Sequence, residues 1–269
     1  MSEPHTKRSP FAPFTIVGGA FLSLSQVAGG MGLLQARVVR GLLPGRPAPI
    51  DTRELGKNLY KMAVKSLPIV VLTALFTGAI MVIQAAPVVV RLGATGLLGW
   101  AAGFGTLREI APLLTALMIS GRVGANNAAE LGTMVVTEQL DALRVLAIDP
   151  IAFLILPRFL AIIATLVMMT LFADLLALIG AAYTGQLLVS VSPLTFYHGV
   201  TSSLLGFGDV ALGLFKSALF GGVIALSSCY FGLATTGGAP GVGRQVNATV
   251  VASALGVFFL DYVAGFLFG

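Results

Sequence analysis

Residues 66–90 read SLPIVVLTALFTGAIMVIQAAPVVV, and no charged side chain interrupts them between Lys65 and Arg91. A helix of about 20 apolar residues crosses a bilayer, so this run predicts a transmembrane helix. Working outward, residues 97–121 form a second span, broken only by Arg108 and Glu109. A third lies in 159–185, a fourth over roughly 210–234 and a fifth over 247–268. The runs are long and do not alternate, which argues against a β-barrel. Between the third and fourth spans, 186–209 is apolar but rich in Ser, Gly and Pro, and predicts a short helix on the membrane surface. Residues 11–36 are uncharged but only weakly apolar, and read as an interfacial or re-entrant helix rather than a sixth span.

Composition agrees. The 269 residues are 57% hydrophobic and 10% charged, with a mean hydropathy of +0.95; a soluble domain carries about 25% charged residues. The 33 glycines suit closely packed membrane helices. The net charge of +5 is read as topology signal and attraction to anionic lipid, not as a nucleic-acid footprint. A lone Cys229 excludes an internal disulfide framework. No small-residue cleavage site follows Lys7 and Arg8, so no removed signal peptide is expected.

Orientation follows from the basic residues. Lys7, Arg8, Arg37, Arg40, Arg46, Arg53, Lys57, Lys61 and Lys65 all precede the first span, which places that end in the cytoplasm. Five crossings then put 122–158 and 235–246 inside, with Arg122, Arg144, Arg158 and Arg244, and the C-terminus outside. The expected fold is all-α and polytopic, with five transmembrane helices, an N-terminal interfacial helix and a cytoplasmic helix between the second and third spans. A tail with its interfacial helix occupies 1–65, and the transmembrane domain 66–269.

The cytoplasmic helix comes from 121–143, GRVGANNAAELGTMVVTEQLDAL, a polar interruption in an apolar chain. Residues 137–147 are expected to be helical, with Thr137 as N-cap, Glu138 and Asp141 early and Arg144 late, an order that suits the helix dipole. Val136, Leu140, Leu143 and Ala147 form one stripe; Thr133, Thr137, Asp141 and Arg144 form another. Asp149-Pro150 then reads as the N-cap and first residue of the next helix. Periodicity alone fits either a bilayer-supporting helix or a docking element.

Five ionisable residues fall within or near the spans: Arg108, Glu109, Asp174, Lys216 and Asp261. Such groups are costly in lipid and face a partner or a cavity. At 1.5 Å per residue, Glu109 lies roughly 20 Å from Arg122, Asp261 roughly 25 Å from Arg244 and Lys216 roughly 31 Å from Gly237, so all three sit in the outer half. Lys216 can therefore pair with Glu109 or Asp261. Arg108 and Glu109 point about 100° apart on a helix and are expected to serve different partners, Arg108 being suited to phosphate. Asp174 reads equally as a hydrogen-bonded structural group. A structural ion pair and a polar headgroup path are both open for the set.

Other chemistry is not supported. GGAPGVGRQ (237–245) has Arg244 and Gln245 where a phosphate-binding loop needs Lys and Ser/Thr, and reads as a turn. His5 and His198 stand apart from any metal-ligand spacing, and no Ser has an obvious activating partner. No cofactor is expected on this chain.

The stretch LREIAPLLTALMISGRVGANNAAELGTMVVTEQLDALRVLAIDPIAFLILPR (107–158) resembles the signature region of the MlaE/YrbE permease family. The matching elements are Arg108-Glu109 followed by Pro112, then Gly121-Arg122, Ala129-Glu-Leu-Gly, Thr137-Glu-Gln, Asp149-Pro150 and Pro157-Arg158. A second matching block is 216–244 and a third is Asp261-Tyr262. The resemblance covers about 40–269. It implies the membrane subunit of an ABC transporter of the bacterial inner membrane that moves phospholipid to or from a periplasmic MCE carrier and maintains outer-membrane lipid asymmetry. It implies a second permease, in a homodimer or a close heterodimer, a STAS-domain protein, and a cytoplasmic ATPase subunit that holds ATP and Mg. The short cytoplasmic helix then becomes a coupling helix, with Glu130, Glu138, Asp141 and Arg144 as ATPase contacts. Arg108, Glu109, Lys216 and Asp261 become the lipid path or its polar network. The competing expectations are a proton-coupled secondary transporter working through Glu109, Lys216 and Asp261, and a membrane scaffold without transport.

Overall fold

The computed structural model describes residues 12–42, 52–202 and 204–268; Lys7, Arg8 and Arg46, counted above for orientation, lie outside the described residues. Among the described residues there are helices and no strands. We label them α1 (Ala12–Leu42), α2 (Thr52–Arg91), α3 (Thr95–Val136), α4 (Gln139–Val145), α5 (Ile151–Val189), α6 (Pro193–Val200), α7 (Phe207–Leu233) and α8 (Gly238–Phe268). Helices α2, α3, α5, α7 and α8 are each long and apolar enough to cross a membrane. The chain is thus an all-α polytopic membrane protein. All five exceed the charge-free runs, because the polar turns at their ends continue the helix. The boundary expected at 65 falls inside α2.

Two of the three π turns have a sequence cause. Thr106–Ile110 within α3 and Ile151–Ile155 at the start of α5 are π turns, and each ends two residues before a proline, Pro112 and Pro157. A proline cannot donate to the carbonyl four residues back and its ring crowds that carbonyl, so the preceding turn widens. The third π turn, Ser120–Gly124, contains two glycines instead.

Helices α2 and α5 pack along most of their length. At their closest approach a Cβ on Gly78 would stand 1.7 Å from the Ala177 carbonyl oxygen, and one on Gly180 2.3 Å from that of Leu75. Backbone touches backbone there, which only glycine permits. Lipid tails are as apolar as leucine, so this dense packing, more than burial from water, holds the bundle together. Around the pair lies one core, with Val70 and Ala74 of α2, Ile119 and Leu131 of α3, Ile162 and Leu166 of α5, Phe220 and Ile224 of α7, and Val257 of α8. Helix α1 joins it through Leu34 and Val38. Helix α8 is the most open: Val251, Leu255, Phe258, Phe259, Tyr262 and Phe266 are all exposed.

In the polar interruption, residues 125–136 are the last α-helical turns of α3. Thr137 does not cap the next helix; its hydroxyl donates back to the Thr133 carbonyl (2.8 Å) and closes α3. Glu138 takes the N-cap position of α4 in a left-handed conformation (φ 57°), and Ala147 beyond its end is left-handed too (φ 58°). Leu140 is buried as its stripe requires, while Val136 is exposed. Asp149 does cap α5, its Oδ1 accepting from the Ile151 amide at 3.0 Å. The expected turn over 237–245 is shorter: Gly237 and Gly238 take positive φ, and the helix runs from Gly238. The surface helix expected within 186–209 is α6, capped by Ser192 Oγ accepting from the Thr195 amide.

Candidate functional site

Consecutive spans alternate in direction, so the molecule has two ends. One carries Arg122, Arg158 and Arg244 and the helix α4, and is called here the basic end. At the far end, α7 begins and α8 finishes.

The far end holds a chain of five charges. Lys216 is fully buried on α7. Its Nζ donates to Glu109 Oε2 of α3 at 2.5 Å and to Asp261 Oδ1 of α8 at 3.2 Å. A buried ammonium with no partner would be far too costly, and two carboxylates answer it. Sequence depth matched Lys216 to either acid; the structure gives it both. Arg108 Nη1 meets Asp209 Oδ1 at the first turn of α7 (3.3 Å), and its Nη2 donates to the Phe268 carbonyl at the end of α8 (2.5 Å). The guanidinium also lies over the Phe104 ring, 5.2 Å from its centroid. Arg108 and Glu109 do have different main partners, as their angular offset predicts. They also touch, Nε to Oε1 at 4.0 Å, which links the five groups. Both sit in the π turn. Asp209 was not anticipated; it lies one residue outside the fourth predicted span.

At the basic end a second network joins four helices. Glu130 of α3 pairs with Lys61 of α2 and with Arg158 Nη1 of α5, the latter at 3.5 Å. Arg158 is buried and also donates to Asn127 Oδ1 (3.2 Å), whose amide donates to Ser228 Oγ of α7 (2.9 Å). Neither Lys61 nor Arg158 is a site residue in the sequence reading: Lys61 serves there as an orientation signal, and Arg158 as that and as part of the matching Pro157-Arg158. The usable clue was that Arg158 abuts an apolar run and must find an acceptor.

The expected coupling residues separate accordingly. Glu138, Asp141 and Arg144 are exposed on and beside α4, with Asp141 and Arg144 paired at 2.8 Å within the helix. Glu130 is not beside them; its carboxylate is taken up by Lys61 and Arg158. Asp174, for which a hydrogen bond within the bundle was an open reading, is buried and neither carboxylate oxygen has a hydrogen-bond partner.

Comparison with known proteins places this arrangement. The family model described as "Permease MlaE" matches residues 55–267. A "probable ABC transporter permease protein" of Synechocystis sp. is 38% identical over 234 residues, covering 87% of this chain and 88% of that protein. One of Rickettsia felis is 34% identical over 252 residues, 94% and 96% of the two chains. The protein TRIGALACTOSYLDIACYLGLYCEROL 1, chloroplastic, of Arabidopsis thaliana is 34% identical over 236 residues, 88% of this chain and 66% of that protein. The match runs from the start of α2 to the last turn of α8 and takes in both charge networks, and on it the chain belongs to the MlaE permease family.

Proposed function

We propose that this permease is the membrane subunit of an ABC transporter that moves phospholipid between the bacterial inner membrane and a periplasmic MCE carrier, and so maintains outer-membrane lipid asymmetry. The observation that carries the reading is α4: a two-turn helix at the basic end, strung between two spans, presenting Glu138, Asp141 and Arg144 to solvent. A short rigid element between α3 and α5 can pass a displacement from a docked ATPase to both spans at once. ATP and Mg reside on that ATPase. In this reading the basic end is cytoplasmic, the C-terminus periplasmic, and the open face of α8 meets a second copy of the chain in a homodimer. A STAS-domain protein completes the cytoplasmic assembly. The Arabidopsis relative bears the name of a glycolipid, which supports a lipid cargo.

The far-end network supplies the lipid path. Arg108 would exchange Asp209 and the Phe268 carbonyl for a phosphate diester, which its guanidinium fork suits, and Lys216, Glu109 and Asp261 tie α7, α3 and α8 together beside it. Glu130 acts behind the docking surface, bracing α3 against α2 and α5. The same triad favours a second reading, a proton-coupled transporter using Glu109, Lys216 and Asp261, which requires flux without any ATPase. The test is a mild-detergent pull-down with the proteins of neighbouring genes, followed by lipid transfer in reconstituted complexes. Recovery of an ATPase is expected, with ATP-dependent transfer that Glu138→Lys or Asp141→Lys uncouples from hydrolysis. No ATPase, or transfer that needs none, overturns the proposal.

A further inference from the structure

Of the five ionisable residues within or near the spans, Asp174 alone is used by neither network. Asp174 on α5 is 4% exposed and both its oxygens lack a partner. Thr170, one turn earlier on the same face, is also buried with an unpartnered hydroxyl. The two cations nearest in depth are engaged elsewhere, Arg108 by Asp209 and the Phe268 carbonyl, Lys216 by Glu109 and Asp261. To be ionised in this setting a carboxyl needs a donor, and none of the described residues supplies one.

The space in front of it says what kind. Asp174 lines a cavity of about 390 Å³ whose other walls include Leu107, Leu178, Val200 and Val210, almost wholly apolar. Its rim residues Leu171, Leu175 and Phe207 are exposed, Phe207 at 87%, so it opens toward acyl chains. Leu107 in the wall is the neighbour of Arg108, which meets the first turn of α7 and the last of α8. The cavity therefore lies where two spans end, at headgroup depth. One acidic group over an apolar chamber, open sideways to lipid, matches an amphiphile with a cationic head. A primary ammonium brings three donors to oxygens that have none; a quaternary one brings no donor.

We propose that this cavity is a lipid-binding site in which Asp174 holds the primary ammonium of a phosphatidylethanolamine-type headgroup from the leaflet at the far end. The site concerns which lipid the chain retains, not whether it moves lipid, so its failure would leave the transport reading intact. The test reconstitutes the chain in nanodiscs of equal phosphatidylethanolamine and phosphatidylglycerol, or of equal phosphatidylcholine and phosphatidylglycerol. Retained lipid is then weighed by native mass spectrometry after a detergent wash. Wild type is expected to retain the ethanolamine lipid with an enrichment about tenfold above Asp174→Asn, the scale of one charge-assisted hydrogen bond. The choline lipid should show no such enrichment. Leu178→Trp, which fills the chamber and spares the carboxylate, should lose the enrichment too, and the thermal melt of the helical circular dichroism checks that each variant is folded. Unchanged ethanolamine retention in Asp174→Asn or in folded Leu178→Trp, or equal retention of the choline lipid, overturns the site. If Asp174→Asn does not fold, Leu178→Trp decides alone.

Discussion

The two ends of the bundle solve the same problem with inverted charges. At the far end one cation, Lys216, stands between two carboxylates, Glu109 and Asp261; at the basic end one carboxylate, Glu130, stands between two cations, Lys61 and Arg158. The settings differ. The Lys216 side chain is fully buried, whereas that of Glu130 is 39% exposed. Without Glu130, water still reaches Lys61 and Asn127 still accepts from the buried Arg158; without Lys216, Glu109 and Asp261 are left facing each other. The far-end triad is thus the more brittle, and its central residue the more consequential.

The sharpest way to break the comparison is Lys216→Met, which leaves two carboxylates facing one another in the bundle. It should destabilise the protein by about 3–5 kcal/mol, the range for breaking a buried pair, read from unfolding in detergent by Trp100 fluorescence. Neutralising all three groups as Lys216→Met, Glu109→Gln and Asp261→Asn should recover most of that loss, because a neutral trio carries no uncompensated charge. Failure to recover would mean that the triad contributes something other than charge balance. Glu130→Gln should cost about 1–2 kcal/mol, less because water reaches the site. An equal loss at Glu130 and Lys216 would erase the distinction between the ends. Smallest of all, Arg144→Gln removes an exposed pair within one helix and should change stability by less than about 0.5 kcal/mol. The same change should weaken ATPase binding in a pull-down, separating docking from folding.

Much of this was legible in sequence for a physical reason. Charge-free runs such as 66–90 have one stable environment, and a buried lysine such as Lys216 must find acids at its own depth. Other features were not, because their causes are nonlocal or local in an unfamiliar way. Glu130 falls among the expected ATPase contacts in sequence, and only the fold brings Lys61, distant in sequence, against it. Asp209 was discounted because a span boundary was drawn one residue beyond it. The wide turns ahead of Pro112 and Pro157 leave no mark in hydrophobic periodicity, although the prolines themselves are the clue. At Thr137 the helix rules gave the right residue type for a cap but the wrong helix, since its hydroxyl closes α3.

The glycine contact between α2 and α5 has a mechanical meaning. Two long helices pressed backbone to backbone at Gly78 and Gly180 cannot slide past each other without collision, so they act as one stiff beam. Helix α2 alone, 40 residues long, measures about 60 Å at 1.5 Å per residue. Pivoting such a beam by about 5° at one end carries its tip through about 5 Å at the other, simply from that length. The leverage lies in the rigidity of the glycine seam, and Gly78→Ala would wedge it apart without touching any charge.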